Sequence, residues 1–318
     1  TVTDADLVLG RLDADEFAGG SIKLSLAASR GALDRDLSVP LSVDTATAAF
    51  GLSEIVDENM SNAARMHAVE NGKELSEFTM IAFGGAAPVH AARLCEKLGI
   101  GELLVPPGAG VGSAIGFLRA PFGFESVRSA YLRLSRFDAG KVNDVLRELE
   151  DEATSFVHQG APGITPVLEC IAYMRYVGQG WEIPVPIDVR RYRDEDAATF
   201  RQLFDGEYEK AFGRVIDGLD VEIVSWSLRA SSEVPPPEPV TRVSAPRATG
   251  SDRRREIFEA QRGAFVTATV VERAAMRAGD LVKGPAVITE RETSTVVTAG
   301  REAIMQADGC LLVRAVTA

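Results

Sequence analysis

The chain has 318 residues, 46% of them hydrophobic and 25% charged, with a formal net charge of −12. That is the composition of a soluble folded protein with room for two domains, and its negative charge gives neither nucleic acid nor an anionic membrane surface anything to bind. No apolar run approaches the roughly 20 residues of a membrane span, and Cys95, Cys170, Cys310, His67, His90 and His158 are too scattered to write a zinc site or a disulfide framework; a reducing cytoplasm is the expected compartment.

Residues 1–40 mix short apolar groups with turn residues. From Asp44 to Asn71 apolar residues recur at helical spacing, with Asp44 as N-cap and Gly72 as stop, which predicts one long amphipathic helix. Thr79–Phe83 is a short apolar run suited to a buried strand; Gly84-Gly85-Ala86-Ala87 forces a turn, and Pro88 opens a helix to Leu98. With Glu102–Val105 as a second strand, residues 79–105 predict a βαβ unit of a largely parallel sheet. Strands are expected over 125–136, 167–176, 181–189 and 221–230, and helices over 141–158 and 195–212. Prolines 235, 236, 237, 239 and 246 make 231–251 an extended linker, and beyond it short β-type runs are punctuated by glycine. The expected organisation is an α/β body over residues 1–230, a proline-rich linker over 231–251 and a β-rich C-terminal domain over 252–318.

Four groups of residues carry chemistry. A diglycine between a buried strand and a helix lets a flat ligand approach the backbone, and the helix start adds free N–H donors; Gly84, Gly85, Ala86 and Ala87 are therefore candidate ligand contacts, although an isolated Gly-Gly more often makes a ligand-free connection. Asp4 and Asp6, near Thr1 and Thr3, resemble an oxygen cluster for Mg²⁺ or a polar substrate, with a helix cap as the plainer reading. His90 lies one turn into the helix after the diglycine, a candidate catalytic residue or a packed one. Arg175, Gln179 and Glu182 set a cation, an amide and a carboxylate around Gly178 and Gly180, a group suited to a polar substrate or to a hairpin connection. The Gly108, Gly110 series is not a dinucleotide fingerprint: Ser113 stands where the third glycine belongs, and Pro106-Pro107 separates strand from loop.

These segments together resemble the hydantoinase A and 5-oxoprolinase family, which includes N-methylhydantoinases and subunits of acetone and acetophenone carboxylases. The matching stretches are Thr1–Leu12, Ile81–Ala91, Val105–Gly116, Met174–Glu182 and Lys283–Ile288, in the family's order across essentially the whole chain. Two positions depart from the pattern: Ala87 replaces a usual glycine, which would narrow the space for a base or sugar, and Phe212-Gly213 replaces a common Tyr-Gly. The resemblance implies an α/β fold with a ribonuclease-H-like lobe, as in the actin, Hsp70 and sugar-kinase ATPases, followed by a β-rich region. It implies ATP and Mg²⁺ as cofactors, with Gly84, Gly85, Ala86 and Ala87 on the adenosine side, and an enzyme that phosphorylates a carbonyl oxygen to drive hydrolysis of a cyclic amide. A ketone carboxylase subunit, or an assembly subunit with a decayed nucleotide cleft, is the alternative. The family's glycine-rich phosphate loops do not occur in this sequence, so it reads as the C-terminal half, with an N-terminal half and a B-type subunit as expected partners and a small cyclic amide or ketone as substrate.

Overall fold

The beginning of the chain is helical because small and apolar residues recur at three- and four-residue spacing behind good caps. The computed structural model describes residues 1–233 and 236–316; Val234 and Pro235 of the expected linker, and Thr317 and Ala318 of the expected C-terminal domain, lie outside the described residues. Helix α1 (Val2–Val8) is capped by Thr1, whose side chain accepts from the Asp4 N–H. Helix α2 (Leu26–Leu33) and a short α3 (Val39–Leu41) lead to α4 (Thr45–Glu70), where the Asp44 carboxylate accepts from the Thr47 N–H. Strand β1 (Met80–Ile81), α5 (Ala87–Leu98) and β2 (Glu102–Val105) form the expected βαβ unit, with β1 and β2 parallel. Gly99, left-handed at φ 69°, ends α5. The predicted buried strand is reduced to two residues at the sheet edge, with Ile81 exposed. Helix α6 (Gly112–Arg119) follows the 106–111 loop. The glycines of that loop are structural: a Cβ on Gly110 would stand 2.4 Å from Cβ of Glu292.

The middle of the chain is β3 (Gly123–Arg133), α7 (Ala139–Gly160), β4 (Val167–Tyr176), β5 (Ile183–Ile187), α8 (Ala197–Phe212) and β6 (Val221–Ser231), each at its predicted place. The strands form an antiparallel sheet ordered β3-β6-β4-β5. Its core is aromatic: Trp226, Tyr176, Phe200 and Phe204 are fully buried, and the Trp226 indole N–H donates to the Ala130 carbonyl at 2.9 Å.

The last segment adds β7 (Arg247–Ala248), β8 (Arg254–Glu259), β9 (Ala264–Glu272), β10 (Asp280–Lys283), β11 (Ala286–Thr289), β12 (Ser294–Val297), β13 (Arg301–Met305) and β14 (Leu311–Ala315). These strands do not stand apart as a domain. One sheet runs β1-β2-β14-β13-β10-β7, and a second runs β12-β11-β9-β8. Strand β14 pairs antiparallel with β2, placing Val313 opposite Leu103, and Leu103, Val105, Ile288, Val297, Leu311 and Val313 share one core with Cys95 and Leu98 of α5. The compact units are therefore residues 1–118 with 238–318, and residues 119–237; the sequence-based division at 230 and 252 cuts the first of these. Strand β7 lies inside the expected linker and pairs with β10. The expected largely parallel sheet is corrected as well: among the described residues only β1–β2, β7–β10 and β9–β11 pair in parallel.

Leu103 and Val313 are both fully buried across this junction. Leu103→Ala should cost about 2–5 kcal/mol, and the Leu103→Ala/Val313→Ala double variant should cost less than the sum, because the two deletions share one cavity. Urea unfolding of the single and double variants measures this; strict additivity would mean that the two strands do not pack together.

Candidate functional site

A polar network is buried where three helices of the first unit meet. His90, in the first turn of α5, is 4% exposed and lies between two carboxylates: Nδ1 is 2.9 Å from Oδ1 of Asp57 on α4, and Nε2 is 3.2 Å from Oδ2 of Asp6 on α1. Arg11 closes the group, with Nη1 donating to Asp6 Oδ1 at 3.0 Å and to Ser53 Oγ at 2.6 Å. Burial works against the imidazolium, yet the bonds to Asp57 and Asp6 outweigh it and push the His90 pKa up to about 9. A histidine bonded through both ring nitrogens and held as a cation has no free nitrogen to offer a substrate. These bonds tie α5 to α1 and α4.

Asp4 and Asp6 do not act together. Two residues apart on one helix, they face different directions: Asp4 accepts from the Thr1 and Ser29 hydroxyls, each at 2.6 Å, while Asp6 points inward to Arg11 and His90. The expected Mg²⁺ cluster is not assembled, and among the described residues no group of three or more His, Cys, Asp or Glu side chains is arranged to hold a metal ion.

The turn before α5 is open. Gly85 and Ala86 are exposed, Ala86 makes no side-chain cap, and Pro88 occupies the first helical turn, so the N–H groups at the helix start have no side-chain partner. Gly84 adopts φ 111°, a conformation that favours glycine, and nothing stands within 4 Å of a Cβ placed on it. A Cβ on Gly85 would make only an ordinary contact, 3.7 Å from the Glu292 carbonyl. Thr293 Oγ1 donates to the Gly85 carbonyl at 2.8 Å and the Gly84 N–H to the Ala109 carbonyl at 2.6 Å, fixing the turn from two sides. Phe83, 55% exposed, flanks it. Ala87 packs its methyl on the core of the unit, so the substitution does not narrow the open side of the turn as expected.

Gly85 also lines a small crevice with Phe17, Ala18 and the 289–294 segment. The same segment walls a cleft of about 730 Å³ lined by Asp15, Glu16, Pro107, Arg273, Glu290 and Met305. Arg273 is buried there, donating to Glu290 at 2.8 Å and to the Val105 and Gly309 carbonyls. Burial raises the Glu290 carboxyl above its usual range, with Arg273 acting in the opposite sense. Neither residue stands out in the sequence, because each meets its partners only through strands distant along the chain.

In the second unit, Arg175 donates from Nε to the buried Glu222 at 2.8 Å and lies 4.0 Å from Glu182. Burial disfavours the Glu222 charge, but the Tyr131 hydroxyl and Arg175 outweigh it and hold the carboxyl below its usual range. Gln179 donates to the Tyr208 hydroxyl at 3.4 Å and accepts from the Tyr176 N–H at 3.3 Å. Arg175 is thus engaged with β6 and Gln179 with the β4–β5 connection and α8; Glu182, 39% exposed in its side chain, is the freest of the three.

Residues 1–125 match the hydantoinase/oxoprolinase family model, and residues 135–314 match the model of the hydantoinase/oxoprolinase C-terminal domain. The chain belongs to the hydantoinase/oxoprolinase family. It is 29% identical over 307 residues to the caprolactamase subunit alpha of Pseudomonas jessenii, which covers 94% of this chain and 44% of that one. It is 28% identical to the acetone carboxylase beta subunit of Xanthobacter autotrophicus, covering 95% of this chain and 44% of the relative. Nucleotide-free acetone carboxylase shares the fold with a TM-score of 0.75 at 24% identity, over 99% of this chain and 46% of that chain. The chain therefore spans less than half the length of these relatives. The likeness supports the α/β fold with a β-rich C-terminal part.

The stability that His90 gains from its carboxylates is fully present below the ordinary histidine pKa of 6.5 and is lost as pH rises through about 9, because the folded-state value lies above the unfolded one. Urea unfolding between pH 6 and 10 should show this decline in the wild type, and His90→Gln should lack it while being less stable at pH 6. A His90 imidazole that titrates near 6.5 by NMR would contradict the assignment.

Proposed function

We propose that this chain is part of an ATP-dependent enzyme that activates a carbonyl oxygen by phosphorylation, with a cyclic amide as substrate, and that Gly84, Gly85, Ala86 and Ala87 lie on the adenosine side of its nucleotide site. The observation that carries the reading is the open turn before α5: glycine backbone at the surface, a helix start without a side-chain cap, and an aromatic ring beside it. The family supports ATP as the nucleotide, since caprolactamase from Pseudomonas jessenii is ATP-dependent.

Phosphorylation answers a definite chemical difficulty. An amide carbonyl resists water because its nitrogen donates into the carbonyl and leaves poorly. Transfer of the γ-phosphoryl group to the amide oxygen, with ADP leaving and the amide proton lost, gives an imidoyl phosphate; water adds to its carbon, the ring C–N bond breaks as the nitrogen takes up a proton, and the resulting acyl phosphate is hydrolysed to carboxylate and phosphate. The transfer needs positioned donors and neutralisation of phosphate charge. The turn supplies positioning for the base and sugar; in this reading the phosphate-binding loops and the Mg²⁺ site come from a partner lobe, because the carboxylates expected to hold the metal are engaged elsewhere. A companion B-type subunit completes the enzyme.

A second reading has specific support. The acetone carboxylase beta subunit matches this chain as extensively as the caprolactamase subunit does, and phosphorylation of a ketone enolate is the corresponding activation before carbon–carbon bond formation. The two share the nucleotide site and differ in the fate of the phosphorylated substrate: attack by water in one, carboxylation in the other.

Gly85 separates a working turn from a structural one. Its added Cβ meets only an ordinary contact, so Gly85→Leu should leave the thermal melt of the complete assembly within about 0.5 kcal/mol, as at tolerant surface positions. ATP-dependent turnover should fall by about tenfold or more, since one misplaced contact costs that much. Isothermal titration of the wild-type assembly with MgATP should show binding that the variant weakens. No MgATP binding by the wild-type assembly would end the nucleotide reading, and lactam-dependent against ketone- and bicarbonate-dependent phosphate release separates its two forms.

A further inference from the structure

The sheet of the second unit has its helices on one face: α7 and α8 pack on the side that carries Cys170, Ala172, Met174, Trp226 and Leu228. Along β3 the opposite side is exposed at every second residue, Glu125, Val127, Ser129, Tyr131 and Arg133, with Val127 and Tyr131 52% and 57% exposed. Pro184 and Pro186 take two N–H donors out of the edge strand β5, which makes that edge a poor place for another strand to add.

The strand register writes a charge pattern on the open face. At one end Glu125 and Glu169 flank Arg229 across the strands; all three are exposed, and none makes an ion pair among the described residues. At the other end Arg133 and Arg175 flank Glu222, which accepts from Arg175 at 2.8 Å and from the Tyr131 hydroxyl at 2.6 Å. The two rungs between these ends are uncharged: Val127, Ser227, Ile171 and Pro186 form one, and Ser129, Ser225, Tyr173 and Pro184 the next. The β-bulge of β3 adds Tyr131 to this band. Across β3, β6 and β4, then, one end reads negative, positive, negative and the other reads positive, negative, positive.

A second copy of this chain supplies the complement of both ends. A two-fold axis lying between two such faces and running across the strands sets each strand against its counterpart with the ends exchanged. Glu125 of one copy then meets Arg133 of the other, Arg229 meets Glu222 and Glu169 meets Arg175, each pair occurring twice, while the uncharged rungs meet at the centre. The strands of the two sheets stay aligned, as in face-to-face sheet packing. An uncharged centre with tyrosine in it and charges at its ends is the anatomy of an interface, and opposed charges of this kind fix its register. From Glu125 to Arg133 the face measures about 27 Å along the strands and about 19 Å across four of them, so two copies bury roughly 1,000 Å², the lower bound of a specific interface. Just beyond β5, Asp188 and Glu182 come opposite each other, but like charges at a wet rim are screened.

We propose that this chain forms a two-fold dimer through the open face of the β3-β6-β4-β5 sheet, each charged end of one copy pairing with the opposite end of the other. The proposal does not draw on the nucleotide reading.

Sedimentation equilibrium of the whole chain, from micromolar to submillimolar concentration, tests it. The expected result is a reversible dimer that weakens as salt is raised. Glu125→Arg and Arg133→Glu, both at exposed positions, should each weaken dimerisation by about tenfold or more, because each creates two like-charge contacts in the dimer. The double variant restores opposite charges at the same two places and should recover wild-type association to within about threefold. A general loss of folding would not be repaired by the second reversal. A chain that stays monomeric over the whole range overturns the proposal, as does a dimer that neither single variant weakens, or a double variant that associates no better than the singles.

Discussion

The first unit depends on one buried cation. His90 stands between Asp6 and Asp57 with almost no access to water, and withdrawing three ionisable groups from solvent is tolerable only when each is bonded in good geometry. Both ring nitrogens are engaged, Arg11 shares the load on Asp6, and Ser53 completes the arginine's bonding. Loss of any one member would leave a desolvated charge without its partner, so the network fixes three helices by the penalty of separating them. Its position matters most for α5. His90 lies in the first turn of that helix, directly after the open Gly84–Ala86 turn, and Thr293 and Ala109 hold the turn from outside. The backbone surface proposed to meet adenosine is thus held on both sides.

That arrangement determines where apolar stabilisation comes from. The inward face of α4 is mixed: Ser53 and Asp57 serve the ionic network, while Ala49, with Phe50 and Leu52 beside it, packs into a small core with Ala5, Val8, Leu9 and Leu33. The larger apolar core of the unit is built by α5, β2 and the strands of the last segment, with Leu103, Val105, Ile288, Leu311 and Val313 closing it. The β-rich C-terminal segment is therefore a structural requirement of the helical region. The second unit takes a different course, packing α7 and α8 with aromatic rings onto an antiparallel sheet and confining its charged groups largely to the sheet's outer side and edges.

Elements whose causes are local were legible in the sequence. The diglycine and Pro88 marked α5 within a few residues, and the alternating runs of the second unit marked β4 and β6 closely. What the sequence hid was pairing across distance. Nothing in residues 102–105 announces that β14, more than 200 residues later, is their neighbour, and so the body and tail were divided where the prolines cluster instead of where contacts thin. The ionic network lay between these cases. Ser53 and Asp57 fall at four-residue spacing on one face of α4, a polar pair that the helical period exposes and that a reading of the apolar residues alone passes over. Asp4 and Asp6 misled for the opposite reason, since closeness in sequence suggested a cluster that helical geometry disperses.

The open turn sets a requirement of its own on nucleotide binding. A nucleotide held only by backbone donors at one helix start gains little affinity, because a few N–H groups cannot replace the hydration of three phosphates. The turn is therefore useful only if a second body brings the remaining contacts, and such a body needs a surface to bind that does not obstruct the turn. On the proposed reading, carbonyl activation is therefore withheld until that second body is in place.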